Sequence, residues 1–373
     1  MLEKKELHIG LIGAGGFARF ALHAFSKLPG ICIAAVVDIN KEAACKLGEE
    51  FGLLVYDALE DLLKTETIDL IYIATPPWLH YAQAKKALMA GKHVICEKPA
   101  ALTSKEAEEL VAIAQARNIL YVVNLMQRYN PLFATVKTIV QENILGNFRH
   151  GYFENYASDQ NLHPGHWFWD PSKSGGIFIE HGVHFFDLFS GWLGEGILIG
   201  AWELSRPDTN RSMVDRVQAT VLYKGGFVNF YHGFDQPDIL DRQELRLLFE
   251  HGEITLYGWV PVKIKLHGLL HSGEMTKLKH LMPDSSVVHH KEPGTAPHKV
   301  KALEFEKHIT LEYENAEGKQ QLYADMLKDM ISDQWHWIRD RRHVRIIDGE
   351  NAVLSTRMAE QATAFAQRTN SSF

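Results

Sequence analysis

Residues 7–18 read LHIGLIGAGGFA, and this stretch decides the first part of the fold. A short apolar run leads directly into Gly13-Ala14-Gly15-Gly16-Phe17-Ala18, which has the form G-x-G-x-x-A. Such a run suits a strand buried on both faces, and the glycine-rich segment after it suits the opening of a helix. The first glycine permits a tight turn, the second lets the main chain approach a pyrophosphate, and the small third residue lets helix and strand pack closely. Phosphates would sit on the free N–H groups of the helix N-terminus. The next apolar run, ICIAAVVD at 31–38, ends in Asp38, 20 residues after Ala18. That is the distance at which a carboxylate meets the adenosine ribose hydroxyls. A carboxylate there repels a 2′-phosphate, and only Lys41 offers a nearby cation, so NAD is expected in preference to NADP.

Outward from this motif the pattern repeats. Apolar runs at 70–75, 93–97 and 120–125 alternate with helical stretches near 17–28, 41–51, 79–90 and 104–117. Strand and helix in alternation predict a doubly wound, mostly parallel sheet of the Rossmann kind over 1–126. The pattern then changes. Segments 216–223 and 226–235 flank Lys224-Gly225, and 243–250 and 253–258 flank His251-Gly252; both pairs read as hairpins. Val217, Ala219, Val221 and Tyr223 share one face. Residues 127–373 therefore read as an α+β domain with antiparallel strands, closed by helices at 322–339 and about 350–367. Residues 266–300 hold His267, His271, His280, His289, His290 and His298 without any metal-ligand spacing. They read as a polar excursion over the surface, with no metal.

Composition narrows the functional classes. The chain has 373 residues, enough for two domains, and a formal net charge of −7 with no long basic run, which disfavours nucleic acid or an anionic membrane as partner. Cys32, Cys45 and Cys96 form neither a disulfide framework nor a CxxC pair, which fits a reducing cytoplasm. Lys4-Lys5 before an apolar run imitates a secretory signal, but Glu3, Glu6 and Arg19 interrupt it. No apolar stretch is long enough for a membrane span.

Residues 74–99 read ATPPWLHYAQAKKALMAGKHVICEKP. Thr75-Pro76…His80, Gly91…His93 and Glu97-Lys98-Pro99 resemble the glucose–fructose oxidoreductase/inositol dehydrogenase (Gfo/Idh/MocA) family. The resemblance continues through Trp169-Asp170-Pro171, Ser174-Gly175-Gly176 and Glu180-His181-Gly182-Val183-His184-Phe185-Phe186-Asp187. It implies a Rossmann domain followed by a large, mostly antiparallel sheet whose open face pairs in a homodimer or homotetramer. It also implies that Gly13, Ala14, Gly15, Gly16, Phe17, Ala18, Asp38, Thr75, Pro76, His80, Glu97 and Lys98 surround the cofactor. The family more often carries aspartate where this chain has Glu180.

The chemistry of these residues is consistent with that resemblance. Lys98 follows a strand at its carboxyl end, where open α/β sheets bind ligands, and can hold a hydroxyl or carbonyl oxygen. His184 is suited to exchange the hydroxyl proton, and a neighbouring Lys98 ammonium would keep it neutral. On a regular helix Glu180 and His184 share a face. Arg128 and Tyr129 are candidate substrate contacts or domain-joining residues; Trp167 is a candidate stacking surface for a sugar or a core aromatic. Lys98 and His184, read in different domains, are expected to meet across a cleft. Together these readings point to an oxidoreductase moving hydride between nicotinamide and a small polyhydroxylated substrate: a sugar, sugar acid or cyclitol. An NAD-using glycoside hydrolase and a non-catalytic ligand sensor are the alternatives.

Overall fold

The structure, a computed structural model, describes residues 6–206, 213–297 and 302–370. Glu3, Lys4, Lys5 and His298 fall outside them. By contacts the chain forms two units. The first comprises residues 1–129, 166–187 and 323–361; the second comprises 130–165, 188–322 and 362–373.

The first unit is built on six parallel strands: Leu7–Ile12 (β1), Ile31–Val37 (β2), Leu54–Tyr56 (β3), Leu70–Ile73 (β4), His93–Cys96 (β5) and Tyr121–Val123 (β6). Their order is β3-β2-β1-β4-β5-β6, the doubly wound order, with β1 paired to both β2 and β4. Ile9, Leu11, Ile71, Tyr72, Val94 and Ile95 are all at or near zero exposure, as strands covered on both faces require. Crossover helices Gly16–Phe25 (α1), Lys41–Phe51 (α2), Leu59–Lys64 (α3), Pro77–Met89 (α4) and Ser104–Arg117 (α5) connect the strands. Thr103 caps α5 by accepting the Glu106 N–H, and Asn118 ends it in the left-handed conformation. β3 and α3, three and six residues long, are too brief to stand out in sequence.

The second unit contains Pro131–Gln141 (α6) and a nine-stranded sheet. Its strands are Phe148–Ser158 (β7), Ile197–Ser205 (β8), Val214–Tyr223 (β9), Gly226–Gln236 (β10), Arg242–Phe249 (β11), Gly252–Tyr257 (β12), Lys263–Leu270 (β13), Ser286–Lys291 (β14) and Lys307–Glu314, with a small separate hairpin of Gly294–Ala296 (β15) and Leu303–Phe305 (β16) preceding the last, β17. The order is β14-β17-β13-β12-β11-β7-β10-β9-β8, antiparallel throughout except for β7 beside β10. Val217, Ala219, Val221 and Tyr223 are buried on one face, as their alternation requires. Phe189 meets Phe230 edge-on at 5.0 Å, and Trp192 stacks on Phe133.

Residues 266–297 are not a loose excursion. β13 lies inside the sheet between β12 and β17, with Ile264, Leu266 and Leu270 buried. Helix Ser272–Leu281 and β14 follow. His267, His271, His280, His289 and His290 are all exposed, on strands, in the helix and at its start. His267, His290 and His308 bring their rings within 4.8–5.7 Å of one another. Among the described residues, no group of three or more His, Cys, Asp or Glu side chains is placed to hold a metal, and no helix is long and apolar enough to cross a membrane.

Two glycines test the packing of the second unit. A Cβ on Gly226 would run into the Arg149 main-chain carbonyl, whereas one on Gly273 would meet nothing. Gly226→Ala should lower stability by about 1–3 kcal/mol, the usual range for forced overpacking. Gly273→Ala, in a helix, should be neutral or stabilising by up to about 1 kcal/mol. Urea unfolding midpoints of the two variants check this; equal shifts would contradict the close β7–β10 approach.

Candidate active site

The glycine turn is built as its residue types demand. Gly13 has φ of 102°, and a Cβ there would lie 2.6 Å from the Ala74 carbonyl oxygen. Gly15 and Gly16 face open space, and Ala18 is fully buried. Helix α1 begins with no side-chain cap and no acidic residue in its first turn. Its free N–H groups therefore suit an anion. Phe17 turns to Phe20 and to Tyr323, whose rings lie 6.2 and 6.4 Å away.

Asp38 is already engaged. Its Oδ2 accepts the Ala14 N–H at 2.6 Å and its Oδ1 the Asn40 N–H at 2.7 Å. The carboxylate thus fixes the glycine turn, and each oxygen keeps a second lone pair for a ribose hydroxyl. Lys41 pairs with Asp57 at 2.6 Å, and Arg19 with Glu50 at 2.8 Å.

His80 does not present a free nitrogen. It is buried, with Nδ1 2.7 Å from the Pro99 carbonyl and Nε2 2.6 Å from the Thr75 carbonyl. Burial lowers its pKa, against the pull of those two carbonyls. It ties the Thr75-Pro76 turn to the peptide that follows the end of β5. Thr75 donates through Oγ1 to Gln83 at 2.6 Å. Pro76 precedes the first turn of α4, where Pro77 takes a position that needs no N–H partner.

Glu97 is likewise held inside the chain. The Tyr72 hydroxyl and the Asn124 side-chain amide (2.8 Å) both donate to its Oε1. Burial pushes its pKa up to about 7, against the stabilising bonds from Tyr72 and Asn124. Tyr72 was not legible as a site residue, because it sits within the all-apolar LIYI run of β4.

Lys98 donates to the Glu180 carboxylate and, at 2.8 Å, to the Glu180 main-chain carbonyl. Both side chains are largely withdrawn from water. Glu180 lies in a π-helical turn, Phe178–Gly182, that runs into helix Val183–Leu193. The turn inserts itself between Glu180 and His184, so their spacing is not that of a regular α-helix. His184 is buried, and its pKa falls well below 6.5, first through burial and then through the Lys98 charge. Lys98, Glu180 and His184 all belong to the first unit. The meeting expected across a cleft between domains takes place inside one compact body.

Arg128 and Tyr129, read as substrate contacts or domain-joining residues, are both held by internal partners. Arg128 forms a two-pronged pair with Asp187, Nε–Oδ2 2.8 Å and Nη2–Oδ1 2.7 Å, and also binds the Asp187 carbonyl. Tyr129 is buried and donates to Asp333 at 2.6 Å. Both brace the first unit. Trp167 is half-buried in the turn Trp167–Trp169, edge-on to Trp78 at 5.7 Å. The following loop is locked by Asp170, which accepts from Ser172, and by Gly175, where a Cβ would lie 2.6 Å from Ile179.

Comparison with known proteins places this arrangement. The profile of the oxidoreductase family described as "NAD-binding Rossmann fold" matches residues 7–125, and that of the GFO/IDH/MocA C-terminal domain matches 133–255. A glycine-loop dinucleotide fold followed by an open-sheet unit defines the class of two-domain oxidoreductases. The chain belongs to the Gfo/Idh/MocA family. Levoglucosan dehydrogenase of Pseudarthrobacter phenanthrenivorans is 28% identical over 54% of this chain and 56% of its own. A dTDP-3,4-didehydro-2,6-dideoxy-alpha-D-glucose 3-reductase of Actinomadura kijaniata is 29% identical over 48% and 53%. The first three curated relatives are matched over only 37–56% of their length. In fold, a levoglucosan dehydrogenase in complex with NADH superposes with TM-score 0.78 at 17% identity, covering 97% of each chain. A 3-ketoreductase from Actinomadura kijaniata in complex with NADP gives 0.71 at 19%, covering 96% of this chain and 97% of that one.

The depressed His184 pKa fixes a sign. For His184 to serve as a base its imidazole must be neutral, and in that role kcat/KM is expected to fall only as pH drops through a value below 6.5. Lys98→Met removes the smaller of the two causes. The acid limb of its residual activity should move upward yet stay below 6.5, because burial persists. A limb that stays put in a pH–rate profile would show that the ammonium does not act on His184.

Proposed function

We propose that the chain is a nicotinamide-dependent oxidoreductase that interconverts a secondary alcohol and a ketone on a sugar, sugar acid or cyclitol. The observation that carries this reading is the gathering of Lys98, Glu180 and a neutral His184 in the same unit as the glycine turn. Gly13, Gly15, Gly16 and the uncapped start of α1 fit a pyrophosphate, and Asp38 fits the adenosine ribose. When bound there, a nicotinamide dinucleotide supplies the hydride acceptor. Lys98 orients the reacting oxygen, and Glu180 holds the lysine in place. His184 takes the hydroxyl proton onto an imidazole nitrogen, and returns it in the reverse direction. Trp167 offers a ring face to a sugar. A sensor would have no need of this set of proton-transfer groups.

NAD is the preferred cofactor in this reading. The carboxylate of Asp38 opposes a 2′-phosphate, and the nearest cations, Lys41 and Arg19, are paired with acids. Asp38→Ala should shift preference toward NADP by roughly 1–3 kcal/mol, read from the two kcat/KM values. An unchanged ratio would remove Asp38 from the ribose site.

The direct test is a panel of sugars, sugar acids and inositols, with NAD and NADP, followed at the reduced-nicotinamide absorbance. His184→Ala should lower turnover on the active substrate by about 10²–10⁴ while cofactor affinity holds. Cleavage of a nitrophenyl glycoside without net reduction would favour the hydrolase reading instead.

The second unit supports a homodimer or homotetramer. Trp202, Leu204, Leu222, Phe227 and Leu248 leave apolar side chains exposed on the nine-stranded sheet. Analytical ultracentrifugation should give a mass of two or four chains, and a monomer at micromolar concentration would contradict this.

A further inference from the structure

Tyr323 is the residue at which helix Gly318–Arg339 joins the first unit. Its ring stands edge-on to Phe20 at 5.0 Å and tilted to Phe17 at 6.4 Å. Phe17 and Phe20 are three residues apart on α1 and share a face of it, and Phe17 lies in its first turn, next to the glycines. Tyr323 thus rests against the opening of α1, beyond the carboxyl end of β1. A second neighbour is Glu97, directly after β5. Burial raises the pKa of the Tyr323 hydroxyl, and the Glu97 carboxylate adds to that rise. Burial and Glu97 likewise raise Tyr72, and Tyr323 contributes in turn. The charge of a phenolate resides on its oxygen, so the hydroxyl end of Tyr323 lies toward Glu97. In the sheet β4 stands between β1 and β5. Tyr323 therefore sits over the carboxyl ends of three adjacent strands, where the strand order reverses between β1 and β4. Open α/β sheets bind their ligands at that point.

The hydroxyl has no use within the chain. Among the described residues nothing hydrogen-bonds to it, and Glu97 takes its bonds from Tyr72 and Asn124 instead. Nor is the oxygen sealed inside the protein: the side chain is half-buried and its hydroxyl stays open. A phenylalanine would fill the same corner against Phe17 and Phe20. The oxygen adds nothing to that packing and costs desolvation unless a partner reaches it. With its pKa raised, the group keeps its proton and presents a donor.

We propose that Tyr323 is a cofactor-binding residue, its hydroxyl donating to the nicotinamide half of the dinucleotide, at the ribose or the phosphate joined to it, while its ring holds the first turn of α1. This rests on the reading that the glycine turn takes the pyrophosphate and Lys98 marks the nicotinamide end. Neighbouring strands lie about 4.8 Å apart, so the ends of β1 and β5 are separated by about 10 Å. The ribose and phosphate of the nicotinamide half must cross that gap, and the Tyr323 hydroxyl stands beside it. The dinucleotide site is then completed by a side chain from the far end of the sequence, which no glycine motif announces.

Tyr323→Phe keeps the ring and removes only the oxygen. Calorimetric titration of the whole chain reads its effect with two probes: the reduced cofactor that the wild type binds more tightly, NADH or NADPH, and AMP, which lacks the nicotinamide half. The reduced cofactor should bind the variant roughly fivefold more weakly, the worth of one hydrogen bond, or about tenfold and more where the acceptor is a phosphate oxygen. AMP should bind both proteins alike, which also shows that the variant is folded. Cofactor binding as tight as that of the wild type overturns the proposal. An equal loss for AMP overturns it too, because the effect would then lie in the packing of α1. A wild-type chain that takes neither NADH nor NADPH would overturn the dinucleotide reading itself, a result distinct from both.

Discussion

The pairing of Lys98 with Glu180 is the contact on which the rest of the first unit turns. An ammonium at the end of β5 is largely removed from water and must have an anion. It takes both the carboxylate and the main-chain carbonyl of one residue, 82 positions later in the chain. Breaking such a pair by deleting one partner typically costs about 3–5 kcal/mol, because the other charge stays buried. The two-pronged Arg128–Asp187 pair fastens the same segment seven residues on. Burial raises the Asp187 carboxyl and the guanidinium opposes that rise. With Trp167 against Trp78, these contacts draw residues 166–187 into the dinucleotide-binding body. His184 therefore belongs to the same compact unit as the glycine turn.

The same contacts explain what was legible and what was not. Strand and helix alternation, the glycine turn and the hairpins at Lys224-Gly225 and His251-Gly252 follow from local rules, and the pairings bear them out. Residues 266–300 misled because His267 and its neighbours on the exposed face of β13 mask the buried Leu266 and Leu270. A strand deep in a sheet but wet on one side reads as polar when its partners are unknown. The π-turn at Phe178–Gly182 could not be read either, since an extra residue per turn leaves no mark on an apolar run.

Site residues divide along a similar line. Gly13 and Lys98 declare themselves, one by its backbone and the other by a charge with no place on a buried strand end. His80, Glu97, Arg128 and Tyr129 have the right chemistry for ligand contact, but long-range partners have already engaged them. Sequence reveals which donors exist. It does not reveal which acceptors arrive from Pro99, Asp187 or Asp333, or that the Tyr72 hydroxyl reaches Glu97.

The burial that conceals these partners also sets the acidities of the site. Glu97, next to Lys98 in sequence, is pushed up to about 7, while His184 is pushed well down. One low-dielectric environment acts oppositely on the two because one is charged when deprotonated and the other when protonated. Near neutral pH the imidazole is thereby free of a proton, and the lysine beside it carries the local positive charge. An exposed histidine would have relied on that lysine alone to stay neutral. Here burial supplies the larger share and the lysine the smaller.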